Sequence, residues 1–183
     1  MTGIQPYQIV AFWFSKRVAP LRFNSTREFD QEIRDDYLSL WQNAKNGQLD
    51  HWLETKEGCL SLVIVLDQFP LHMFRNQAES FSTEQQSRDV AEHAIACGFD
   101  DLLPLAQKAF LYLPFMHSES LSDQERSVSL FESAGLNNNL KWAKHHRNLI
   151  QRFGRFPHRN ALLGRVNSAE ELTYLSSKEA FIG

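Results

Sequence analysis

The sequence predicts an all-α protein of antiparallel helical hairpins, and three observations carry that prediction. Apolar residues recur at helical spacing through most of the chain. Serine or threonine followed three residues later by an acid or amide precedes several of those runs, the signature of a helix start. One run alone, around Leu62-Val63-Ile64-Val65, is β-branched enough for a strand, and no second such segment exists to pair with it.

In chain order, Gln8 to Phe14 reads as a short apolar helix or turn, followed by a loop around Pro20. Ser25-Thr26-Arg27-Glu28 forms a capping box, after which Phe29, Ile33, Tyr37, Leu40 and Trp41 repeat until Gly47. Thr55 opens a run to Phe69 that is long for a strand and is assigned as helix. Ser82 and Thr83 carry overlapping cap signatures for a helix ended by Gly98. Asp101 to Leu113 follows with Leu102, Leu105, Ala109 and Phe110 inward, and Pro114 is expected to end it. Ser122-Asp123-Gln124-Glu125 is expected to cap the next helix, and Gly135 to stop it. Asn138 or Asn139 then opens a helix with Trp142, His146, Leu149, Ile150 and Phe153 inward and Gly154 as its stop. Ser168-Ala169-Glu170-Glu171 caps a last short helix. The short connections favour antiparallel neighbours, and no linker divides the chain, so residues 1–183 are expected to form a single domain.

Composition narrows the class. With 43% apolar and 22% charged residues the 183-residue chain is an ordinary globular sequence, not a disordered one. Net charge is −3, yet no acid lies between Glu132 and Glu170 while Lys141, Lys144, Arg147, Arg152, Arg155, Arg159 and Arg165 do. A local basic patch on an acidic chain argues for a small anion or an internal partner more than for nucleic acid. Cys59 and Cys97 have apolar surroundings and no zinc spacing, which suits reduced thiols in the cytoplasm. The apolar stretch Ile9–Phe14 has no basic segment before it and no cleavage site after it, so no secretory signal is expected. The run Cys59–Leu66 falls well short of the roughly 20 residues that span a bilayer, so no membrane partner is expected.

The chemistry-bearing residues concentrate in Arg152-Phe153-Gly154-Arg155-Phe156-Pro157-His158-Arg159-Asn160, where Gly154 and Pro157 break the helix and gather cations in one loop. Converging guanidinium forks make an anion site, so Arg155, His158, Arg159 and Asn160 are ligand candidates. The competing reading is a clamp in which these arginines pair with Asp67, Glu119, Asp123 or Glu125 and fasten the loop. His117 and Glu119, two apart, could act as an acid–base pair or as two of the ligands a metal needs. His146 lies on the apolar stripe leading into the arginine loop, and Asp67-Gln68, at the end of a long apolar run, is expected to be only partly exposed and adds two further ligand candidates. His93 and Cys97 have a zinc-compatible spacing without further ligands, and His145-His146 project too far apart to share an ion. No metal is assigned, and no cofactor or oligomeric state is implied.

Val10–Phe14, Leu66-Asp67-Gln68-Phe69-Pro70, Phe110–Glu119, Asp123–Val128, Arg152–Asn160 and Leu163-Gly164-Arg165 together resemble the bacterial family called domain of unknown function 924. The resemblance implies a helical fold similar to the tetratricopeptide-repeat superfamily and no established activity. Leu71-His72 and Phe23 depart from that family's pattern, which has arginine-asparagine and tryptophan there, and the first removes an arginine from beside Asp67. Three functions are therefore expected to compete. One is binding of a small anion or peptide carboxylate at the Arg/His/Glu cluster. Another is hydrolysis with His117, His146 or His158 as base and Glu119 or Asp123 orienting it or binding a metal. The third is a protein–protein scaffold.

Overall fold

The computed structural model describes residues 3–181, and these are helical with no strand among them. Contacts cluster in two compact units, one ending at Pro114 and the other beginning at Phe115.

The first unit holds α1 (Pro6–Trp13), α2 (Arg27–Lys45), α3 (Lys56–Val63), α4 (Phe69–Met73) and α5 (Glu84–Ala96). Thr26, not Ser25, caps α2: its hydroxyl accepts the Phe29 amide at 3.2 Å, while Ser25 donates to Asp30. Thr55 caps α3 through the Gly58 amide. Gly58 must be glycine, since a Cβ there would lie 1.9 Å from the Trp52 carbonyl oxygen.

The stretch expected as one helix from Thr55 is helical and runs beyond Phe69 to Met73. It contains a π turn at Ile64–Gln68 joining α3 to α4. Pro70 explains the wide turn. Its ring nitrogen has no hydrogen to give Leu66, four residues back, and the Phe69 amide reaches to Ile64. The Leu66 carbonyl is served by the Thr83 hydroxyl at 2.6 Å, and that oxygen in turn accepts Trp41 Nε1 at 3.1 Å. Thr83 therefore sits at the start of α5 without capping it, contrary to the cap signature.

The core of this unit is aromatic. Trp13, fully buried, meets Phe69, His72 and Phe110 edge to face at 5.6, 5.7 and 5.9 Å. His72 donates Nδ1–H to Asp30 at 2.8 Å, where Arg75 also binds. Packing of α1 and α5 on α3, and of α2 on α4, closes around these rings.

Pro114 does not end its helix. α6 is Leu105–His117 with the proline inside, preceded by a 3-10 turn at Asp100–Leu102. A proline there forfeits one hydrogen bond at about 3 kcal/mol, but Phe115 and Met116 are 2% and 3% exposed, and burying each returns about 1.5–3 kcal/mol. Leu102 and Leu105, expected inward, are 61% and 59% exposed.

The second unit holds α7 (Leu121–Ser133), α8 (Asn137–Phe153) and α9 (Ala169–Leu175). α7 starts at Leu121 after Ser120, ahead of the Ser122 box: Ser118 Oγ accepts the Ser120 amide at 3.1 Å and donates to Asp123 at 2.6 Å. The fully buried Gln124 donates to the Met116 and Ser118 carbonyls, both at 2.7 Å, and so ties down backbone oxygens at the end of α6. The short turn Ala134–Leu136 folds α8 back against α7. Gly154 ends α8 at φ 70°, a left-handed cap that disfavours any other residue. α9 carries the expected capping box, with Ser168 and Glu171 each accepting the other's amide.

Candidate functional site

The polar residues between α6 and α9 are arranged in two layers of the second unit. In the outer layer the acids on either side of the basic interval answer most of its arginines. Glu119 is held by both terminal nitrogens of Arg165, at 2.6 and 2.9 Å, and accepts the Phe156 amide at 2.8 Å. Arg155 grips Glu171 at 2.7 and 2.8 Å and donates to the Val166 carbonyl, and Arg152 reaches Glu170 at 2.7 Å. The guanidinium of Arg155, with the Ser168 amide, holds the Glu171 carboxyl down at about 2. Burial pushes the Glu119 carboxyl upward, but Arg165 and the Phe156 amide outweigh it and leave it low. A shallow depression of about 350 Å³ lies over Arg152, Phe153, Arg155, Ser168, Glu170 and Glu171.

The inner layer is built on the fully buried ring of Phe156. His146 stands edge-on to it at 5.4 Å, His158 tilts against it at 5.6 Å, and the Arg159 guanidinium lies over it at 4.7 Å. Arg159, 6% exposed, also donates to the His117 carbonyl at 3.0 Å. His146 donates Nδ1–H to the Trp142 carbonyl at 2.8 Å; since a carbonyl only accepts, the tautomer is fixed and Nε2 carries the lone pair. Burial lowers His146 to about 3, with like charge on His117, His145 and His158 adding to it. Burial and then Arg159 lower His158 to about 4. Both rings are neutral at pH 7. His158 Nδ1 is buried without a hydrogen-bond partner among the described residues.

A family model described as a bacterial protein of unknown function, DUF924, matches residues 9–179. The chain belongs to that family. A solved structure titled as a protein of unknown function from Agrobacterium tumefaciens is similar at 37% identity, covering 93% of this chain and 96% of that one, with a TM-score of 0.89. No protein of curated function matches.

In this DUF924 chain His117, His158 and Arg159 lie together with His146 of α8. Glu119 and Arg155 belong to the outer ion pairs. Asn160, fully buried, donates Nδ2–H to Asn167 at 2.7 Å behind them. Asp67 and Gln68, also ligand candidates, are 2% and 3% exposed, more buried than the sequence suggests, and lie on the π turn of the first unit, with Gln68 donating to Asp67 at 2.6 Å. His93 Nε2 is 3.7 Å from the Cys97 sulfur, and among the described residues no three His, Cys, Asp or Glu side chains are gathered as a metal would require. Phe156, Glu171 and Phe181 are not among the site residues that the sequence predicts. Phe181 had a visible signal, a lone aromatic beyond the polar run Ser176–Glu179 that follows α9.

Proposed function

We propose that the protein binds a small carboxylate, free or at a peptide end, at the inner cluster of His117, His146, His158 and Arg159. The observation that carries this reading is the pairing of a buried guanidinium with two neutral imidazoles on one aromatic ring, His158 keeping a buried, unpartnered nitrogen. A carboxylate accepts from the arginine and supplies the hydrogen-bond partner that His158 Nδ1 lacks. An anion there also favours imidazolium, so binding takes up a proton and tightens as pH falls from 7 toward 5.

Binding is favoured over hydrolysis because an imidazole at about 3 or about 4 is a feeble general base at neutral pH, and because Glu119 is held ionised by Arg165. The scaffold reading rests on likeness of fold alone. A reducing cytoplasmic setting suits the free thiols of Cys59 and Cys97.

Calorimetric titration with propionate and with inorganic phosphate tests the proposal. Propionate should bind, should take up protons when buffers of different ionisation heat are compared at pH 6, and should lose about tenfold or more in affinity in Arg159→Met. Arg155→Met should leave affinity unchanged while lowering the melting temperature. Unaltered propionate affinity in Arg159→Met, or no binding of either anion to the intact protein, overturns the reading.

A further inference from the structure

Phe181 follows α9 on a segment outside any helix, and its amide donates to the Tyr174 hydroxyl at 2.8 Å. Its ring is edge-on to His146 at 4.7 Å and to His158 at 5.0 Å, with His145 at 5.9 Å and Trp142 at 6.2 Å. Four rings from α8 and the arginine loop thus converge on one half-buried side chain, which also packs against the cluster of Leu149, Ile150, Phe156 and Tyr174 and, among the described residues, is tied through its backbone to the Tyr174 hydroxyl. Such contacts contribute on the order of 1 kcal/mol each, small enough for a ligand ring to compete for the same place. The two imidazoles that form the slot are the ones against Phe156, so the slot and the Arg159 guanidinium share one aromatic floor.

We propose that the slot filled by Phe181 is an aromatic subsite, and that the protein's ligand is an arylalkyl carboxylate whose ring replaces Phe181 while its carboxylate meets Arg159 and His158. The proposal rests on the carboxylate reading above and adds the chemical class of the ligand body. Phe181 is then an in-chain competitor: it fills the subsite in the free protein and lowers the apparent affinity for any ligand that must displace it.

The test uses the full chain as wild type, Phe181→Ala and Phe181→Leu, titrated calorimetrically with 3-phenylpropionate, propionate and phenol. The expected result is that 3-phenylpropionate binds Phe181→Ala about tenfold tighter than wild type while propionate binds both alike. Phe181→Leu, which keeps apolar volume on Tyr174 and loses the ring, should show a smaller gain and serves if the alanine variant fails to fold. Equal affinity of 3-phenylpropionate and propionate for the variants overturns the subsite. If neither carboxylate binds any protein, phenol decides. Tighter phenol binding to the variants than to wild type keeps the aromatic subsite and removes the carboxylate reading, whereas no gain removes both.

Discussion

Arg165 grips Glu119 across 46 residues of sequence with both terminal nitrogens, at 2.6 and 2.9 Å, and the same carboxylate receives the Phe156 amide. The residue that looked like half of an acid–base pair with His117 is thus the anchor of the arginine loop. Glu119→Ala leaves a guanidinium and an amide unanswered in a site about three-quarters shielded from water. A loss of about 2 kcal/mol is expected in urea denaturation. The Glu119→Ala/Arg165→Met double variant should lose less than the sum of the single ones, a coupling of about 1 kcal/mol.

His146 and His158 make stability fall early on acidification. Their folded values, about 3 and about 4, lie below the ordinary histidine value near 6.5, so the unfolded chain binds more protons between those limits. Stability therefore rises with pH across that window, and acidification from 7 to 5 should cost on the order of 1–2 kcal/mol for each. His72, lowered by burial, acts in the same direction. Glu119 and Glu171 act in the same direction at lower pH: their depressed values add stability that is lost as pH falls from the ordinary carboxylate range through their folded values. Denaturation midpoints followed from pH 7 to 5 should drop in wild type and flatten in a His146→Gln/His158→Gln variant.

Thr83 is the hinge pin of the π turn. Thr83→Val keeps the shape but strips a donor from the Leu66 carbonyl and an acceptor from Trp41 Nε1. Two buried polar groups then lack partners, at about 2–3 kcal/mol in chemical denaturation. Thr83→Ser, which restores the hydroxyl, should recover most of that loss.

Gly58→Ala should be among the most damaging single changes, because its Cβ would meet the Trp52 carbonyl at 1.9 Å, with backbone on both sides of the clash. A loss of about 3 kcal/mol is expected. Gly98→Ala, where nothing lies within 4 Å, strains only the backbone and should cost less.

Local signals were the legible ones. The Ser168 box, the helix start at Thr55 and the Gly154 stop each need only a few consecutive residues, and each forms as read. The readings that failed did so because distant partners intervened. Pro114 stays inside α6 because buried Phe115 and Met116 offset its missing hydrogen bond. Thr83 gives its hydroxyl to Leu66 and not to its own helix. Trp142, on the predicted inner stripe, is 55% exposed, with the Phe181 ring 6.2 Å away. At the site, the sequence located the cationic loop, but the charge balance depended on Glu119 and Glu171 reaching in from outside it. No spacing rule relates residues so far apart.

The exposed indole of Trp142 has a use in the laboratory. The chain has four tryptophans; Trp13, Trp41 and Trp52 are buried in the unit that ends at Pro114, and Trp142 alone belongs to the other. Shielded indoles emit at shorter wavelength than wetted ones, so the blue side of the emission follows the first unit and the red side the second. Trp142→Phe isolates the first signal, and the difference spectrum isolates the second. If the two denaturation curves coincide, the chain unfolds as one cooperative body; if they separate, each half has its own midpoint and its own stability.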